Sequence, residues 1–183
     1  MGDIRQPLPV LLVVAVFSRH QAALQWARQR YESAWGPVAL ASPAYEFSET
    51  QFYRATMGEG ILKSFLAFEN LIDPGRLADI KRQSNDWEEE FRVSHHFPET
   101  RPLNLDPGYL TEAKLVLATT KDRDHRVYLN HGIFAEVTLY FQVGQWQVRP
   151  WTYPDYCRAD YHQFFTGCRA YLRQRYAKRH APP

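Results

Sequence analysis

Apolar and polar residues change their period several times along this chain, and each change marks an element. Residues 10–17 form an unbroken apolar run rich in β-branched side chains, the pattern of a central strand covered on both faces. Ser18 and Gln21 have the spacing of a capping box. His20, Leu24, Ala27, Tyr31 and Ala34 then recur at helical period up to Gly36-Pro37, which predicts a first helix. Residues 38–41, 44–47 and 52–56 read as short extended pieces, and 61–71 alternates as a strand does. Asp73-Pro74 is a helix start, cap then proline, with Leu77, Ile80, Ser84, Trp87 and Phe91 on one face of the second helix.

A polar seam at 94–102 is followed by apolar segments at close spacing: 103–106, 113–120, 126–130, 134–141 and 146–148. Pro107-Gly108, residues 121–124, His131-Gly132 and Gly144 separate them, so an antiparallel meander is predicted. Asp155 is placed to cap a last helix with an apolar stripe of Tyr161, Phe164, Phe165, Cys168, Tyr171 and Leu172, and the tail 181–183 ends it. The expected fold class is α+β with a mainly antiparallel sheet. Its first half is a ferredoxin-like βαββαβ unit, extended by the meander and a C-terminal helix, all in one domain over 1–183.

Composition adds bounds to this outline. The chain has 183 residues, 45% of them hydrophobic and 15% aromatic, enough for a sizeable core built from large flat side chains. The formal charge of +2 announces neither a nucleic-acid nor a membrane protein. The apolar run at 10–17 falls far short of the roughly 20 residues that span a bilayer. Asp3 before it and Arg19-His20 after it do not fit a secretory signal. Cys157 and Cys168 lack the close pairing of a zinc or redox motif. A cytoplasmic protein with reduced, buried thiols is the expectation.

The usual catalytic strings are missing. Met57-Gly-Glu-Gly60 with Lys63-Ser64 has the wrong spacing for a phosphate-binding P-loop, and a guanine-reading T-K-x-D after Thr120-Lys121 would need Asp where Arg123 stands. Neither a nucleophile elbow, a zinc-binding H-E-x-x-H nor a dinucleotide fingerprint occurs. Adjacent His95 and His96 point to opposite sides of an extended chain and read as a solvated pair, so no metal site is assigned.

The informative stretch is 104–136. Strand alternation places Asn104 and Asp106 on one face, Lys114, Val116, Ala118 and Thr120 on another, and Glu136, Thr138 and Tyr140 on a third. If the hairpins align these faces, Asp106, Lys114 and Glu136 converge with Arg126 or Tyr128, and Thr120-Lys121 lies at the rim. The same pattern also fits a solvated face with weak cross-strand ion pairs. Residues 151–156 pack three aromatics into a turn, where Tyr153 and Tyr156 either wall a pocket or plug the sheet end.

The strings LNLDPGYL from Leu103, AKLVLATTKD from Ala113, HRVYL from His125, GIFAEVTL from Gly132 and the 151–156 turn resemble a bacterial family catalogued as domain of unknown function 4416. The likeness extends over nearly the whole chain, including Leu71-Ile-Asp-Pro74 and the helix after it. It implies a stand-alone cytoplasmic protein and carries over no catalytic residue. The GTP-binding role attached to some members finds none of its motifs here.

The leading functional expectation is binding of an anionic small molecule, a nucleotide or phosphorylated metabolite, by Lys114, Thr120, Lys121, Arg126, Tyr153 and Tyr156. In an enzymatic version Asp106 or Glu136 is the general base, His125 the acid, and Lys114 or Lys121 the anion clamp. The sequence names no cofactor. One alternative is an RNA- or protein-binding module using Arg158, Arg169, Arg173, Arg175, Lys178 and Arg179 of the last helix. Another is an oligomeric structural protein whose aromatics cover a subunit interface.

Overall fold

A computed structural model describes residues 2–50 and 52–180; the side chain of Arg179 and the tail at 181–183 lie outside the described residues. The apolar run becomes β1 (Leu11–Ser18), whose residues are all 3% exposed or less. Helix α1 (Gln21–Trp35) follows, then β2 (Val38–Ala41), β3 (Tyr45–Glu46), α2 (Arg54–Met57), β4 (Leu62–Phe68) and α3 (Leu77–Ser94). The second half supplies β5 (Asn104–Leu110), β6 (Lys114–Thr119), β7 (Val127–Asn130), β8 (Ile133–Gln142), β9 (Gln145–Val148) and α4 (Ala159–His180).

One nine-stranded sheet runs β2-β4-β1-β5-β6-β8-β7, with β3 on β4 and β9 on β8, and these strand pairs are antiparallel. The mixed, mainly antiparallel fold and the C-terminal helix are as the sequence predicts. The β2-β4-β1-β5 segment has the split order of a βαββαβ unit, with α1 and α3 as its two crossovers. Leu12, Val14 and Val16 of β1 pack against Ala27 and Tyr31 of α1 and Ile80 and Phe91 of α3. Leu11, Val13, Ala15 and Phe17 point the other way, against Tyr161, Phe165, Cys168 and Leu172 of α4. The C-terminal helix therefore covers the face that the two crossover helices leave open.

Five local expectations are corrected, the first being Cys157, expected buried, which is exposed while Cys168 is buried. His20, not Ser18, is the N-cap of α1; the Ser18 hydroxyl accepts from His20 N–H and donates to the Pro102 carbonyl. Residues 54–57 are helical rather than extended, because β3 already occupies the β4 edge at Leu62 and Lys63. Pro107-Gly108 does not turn: β1 holds both in register opposite Val14 and Val13, and β5 runs on to Leu110. Asp155 does not cap α4 but sits in a 3-10 turn, Pro154–Cys157, and turns its carboxylate inward.

Candidate functional site

Strands β5 and β6 pair only at Gly108↔Leu117, Tyr109↔Val116 and Leu110↔Leu115. The pairing needs Gly108, because a Cβ there would lie 2.3 Å from the Val116 carbonyl oxygen. On the other side of Pro107, which has no N–H to give, Asn104 to Asp106 and Ala118 to Thr120 separate. A cavity of about 600 Å³ opens in this fork, within the usual size of a small-molecule site. The fork also lets helix α3, on the opposite face, send side chains into it.

Those side chains are Lys81, Asn85 and Glu88, which recur at i, i+4 and i+7 and so share one stripe of α3. Lys81 Nζ donates to the Leu105 carbonyl at 2.7 Å and to Asp106 Oδ1 at 2.9 Å. Asn104 Nδ2 donates to Asp106 Oδ2 at 2.8 Å. Burial alone would raise the Asp106 carboxyl, but Lys81, Asn104 and Arg101 hold it below its ordinary value. Glu88 accepts from Leu105 N–H at 2.7 Å and from Arg101 Nη2 at 2.8 Å. Its enclosure outweighs Lys81 and Arg101 and raises it.

The far wall is built by β4 and the 3-10 turn. Lys63 and Asp155 form an ion pair of 2.5 Å, and the side chain of Lys63 is 1% exposed. Phe17, Phe47, Phe52, Tyr53 and Tyr156 add aromatic surface. Burial chiefly, with the charge of Asp106 next, raises the Tyr53 phenol. Burial and nearby Glu136 push Tyr153 up to about 12.

Glu136 closes the third side from β8. It accepts from Arg126 Nε at 2.8 Å through Oε2 and from the Thr138 hydroxyl at 3.2 Å through Oε1. His125 Nε2 lies 3.2 Å from Oε2, its ring stacked on Trp151 at 5.1 Å. Arg126 also donates to the Tyr153 hydroxyl at 2.7 Å and the Lys121 carbonyl at 2.9 Å. His125 and Arg126 thus stand behind the wall and fix Glu136 and Tyr153, which are in it.

Of the residues expected to form a site, Asp106, Thr120, Lys121, Glu136, Tyr153 and Tyr156 line the cavity together, and His125 and Arg126 support it. Lys114 does not converge with them. The register of β6 on β8 shifts between Leu115↔Leu139 and Val116↔Val137, so Thr138 is an extra residue. This bulge reverses the parity of β8: Lys114 pairs with Tyr140, on the face opposite Glu136, and is exposed. Tyr128 lies on the exposed strand β7, 57% exposed. Sequence reasoning missed Lys63, Lys81, Glu88 and Arg101. The α3 stripe at 81, 85 and 88 was a usable signal for two of them.

Each cavity carboxylate is paired: Asp155 with Lys63, Asp106 with Lys81 and Glu88 with Arg101 in the wall, Glu136 with Arg126 behind it, and Glu49 at 2.7 Å with Arg158, which Asp160 shares. Lys121 is the cation left over. Among the described residues no carboxylate pairs with it; its ammonium lies 4.2 Å from the centre of the Phe52 ring. Partial desolvation first, then repulsion from Arg101 and Arg126, opposed by Asp106, lowers its pKa. Among the described residues no group of three or more His, Cys, Asp and Glu is arranged to hold a metal ion, and no helix is long and apolar enough to cross a membrane.

No curated protein and no solved structure matches the chain. The family model described as Domain of unknown function (DUF4416) matches residues 8–171, which takes in every strand and the whole cavity wall, and the chain belongs to that family.

Proposed function

We propose that the fork between β5 and β6 binds an anionic small molecule whose charged group sits at Lys121 and whose planar or apolar part lies against Phe52 and Tyr53. The observation that carries this reading is Lys121, an ammonium of the cavity wall that no carboxylate among the described residues pairs with, while the five wall carboxylates each have another cation in the wall or behind it. An anion entering there meets an ammonium, with the charges of Arg101 and Arg126 near enough to add to its attraction. Thr120 adjoins it in the wall. Phosphorylated metabolites and nucleotides have this combination of parts, and aromatic walls accept planar groups without reading their edges.

Polyanion binding by α4 has less support. Arg169 donates to the Glu112 carbonyl at 2.6 Å and lies over the Phe141 ring. Arg175 donates to the Glu69 carbonyl, and Arg158 joins Glu49 to Asp160. These arginines fasten the helix to its own chain.

Thermal unfolding against nucleotides, sugar phosphates, planar carboxylates and short RNAs tests the proposal. A ligand at one hundred times its Kd adds about 2.7 kcal/mol, a rise of several degrees for this size. The expected result is a small-molecule shift that Lys121→Met removes. No shift, or a shift with RNA alone that salt erases, overturns it.

A further inference from the structure

Anion binding makes no use of the most enclosed charge in the cavity wall. Lys63 Nζ lies 4.0 Å from the ring centre of Tyr156 and 4.3 Å from that of Phe17, with Phe65, Tyr161 and Phe47 within 5.5 Å. Its carboxylate partner is Asp155, which is 4% exposed. A buried ion pair of this kind is seldom more stable than a well-packed apolar pair of the same volume, so packing does not explain a lysine here. Buried Lys81, by contrast, also bonds a backbone carbonyl and so holds α3 to β5. An amine withdrawn from water beside a proton acceptor, in the wall of a ligand-sized cavity, is the arrangement that nucleophilic lysines require. The desolvation outweighs Asp155 and lowers the pKa of Lys63.

We propose that Lys63 condenses with the carbonyl group of an aldehyde or ketone that also carries an anionic group, forming an imine inside the cavity. The proposal rests on the anion-binding reading and names its substrate class. The Lys63 ammonium first gives one proton to Asp155. Its nitrogen lone pair then forms a bond to the carbonyl carbon while the C=O π pair moves to oxygen. A second proton passes from nitrogen to that oxygen, Asp155 returns the first, and the oxygen leaves as water. The carbon–nitrogen double bond that remains keeps one proton and the positive charge, facing the Asp155 carboxylate. One carbonyl oxygen is exchanged for one nitrogen, and no oxidant or reductant takes part.

Pyridoxal 5′-phosphate is a suitable probe because it joins an aldehyde, a planar ring and a phosphate. Pyridoxine 5′-phosphate, an alcohol in place of the aldehyde, is its control. Wild-type protein is mixed with the aldehyde, reduced with borohydride, digested, and the modified lysine read by mass spectrometry. The expected result is a single adduct on Lys63, absent in Lys63→Arg, with a yield at limiting probe about tenfold lower in Lys121→Met, as the loss of one charge-assisted contact implies. Because the site is mapped on the wild-type chain, a misfolded variant does not decide the matter. Adducts on surface lysines such as Lys114 alone, with pyridoxine 5′-phosphate still raising the melting temperature, overturn the imine and leave the anion site standing. An adduct on Lys63 that Lys121→Met does not weaken supports the imine and overturns the anion placement. No Lys63 adduct and no melting shift with either phosphate overturns both.

Discussion

The two ends of the β5–β6 pair are built from the same backbone and differ in almost everything else. At Gly108 to Leu110 the strands are zipped, and their neighbours Leu110, Leu115 and Leu139 are fully buried in the core under α4. Beyond Pro107 the strands part, and the space between them is walled by ion pairs, amides and phenols. A sheet gives up ladder hydrogen bonds only where side chains can satisfy the freed groups. Here Lys81 takes the Leu105 carbonyl and Glu88 takes its N–H. The fork is thus held open by α3, and its chemistry and its architecture depend on the same residues.

Unpairing the forked end should have the largest effect. Asp155→Ala strands the Lys63 ammonium inside the protein, at a cost of about 3–5 kcal/mol. A fall in melting temperature on the order of 10 °C is expected, most of it recovered in Lys63→Met/Asp155→Leu. Overpacking the zipped end comes next: Gly108→Val drives a side chain into the Val116 carbonyl and Leu117, costing about 2–3 kcal/mol in thermal unfolding. A loss below about 1 kcal/mol in Gly108→Val would mean the zip is softer than its contacts imply.

Acid titration sharpens the comparison further. Asp106 has a folded pKa below its unfolded value, so its contribution to stability is complete above the unfolded pKa of about 3.9 and is lost as pH falls through the folded one. The destabilisation caused by Asp106→Asn should therefore be constant near neutrality and shrink only below about pH 4. A difference that narrows already between pH 5 and 7 would refute the assignment. The smallest effects belong to the lysines: Lys121→Met should weaken anion binding about tenfold with little change in melting temperature. Lys114→Ala, across the sheet from the cavity, should change neither, and its effect on stability should stay within about 0.5 kcal/mol.

Much of this architecture was legible beforehand. The strands of the second half follow the alternation of 113–148 closely, and β1, α1 and α3 follow from period and punctuation. The site was half legible. Asp106 and Glu136 lie on strands, and Lys121 and Tyr153 on the segments after strands, that the sequence places correctly, and the four meet in one cavity. Lys114 was misassigned because a one-residue bulge at Thr138 leaves no mark in the residue types, yet reverses which side chains share a face. Lys81 and Glu88 look like ordinary polar positions of an amphipathic helix until the fork admits them. Lys63, between Leu62 and Ser64, reads as an ordinary polar strand residue. Only the return of α4 over that face, far along the chain, makes it a buried one.

That separation has a consequence for synthesis. Lys63 and Asp155 are 92 residues apart in sequence, and every strand and helix of the βαββαβ unit leaves the ribosome before the counter-charge does. Domains assemble as units during translation when their contacts are complete. The early half of this chain is not self-sufficient, since its central lysine has no partner until the 3-10 turn emerges. Nascent chains arrested before residue 155 should remain protease-sensitive, and protection should arrive abruptly once the turn and α4 have cleared the exit tunnel.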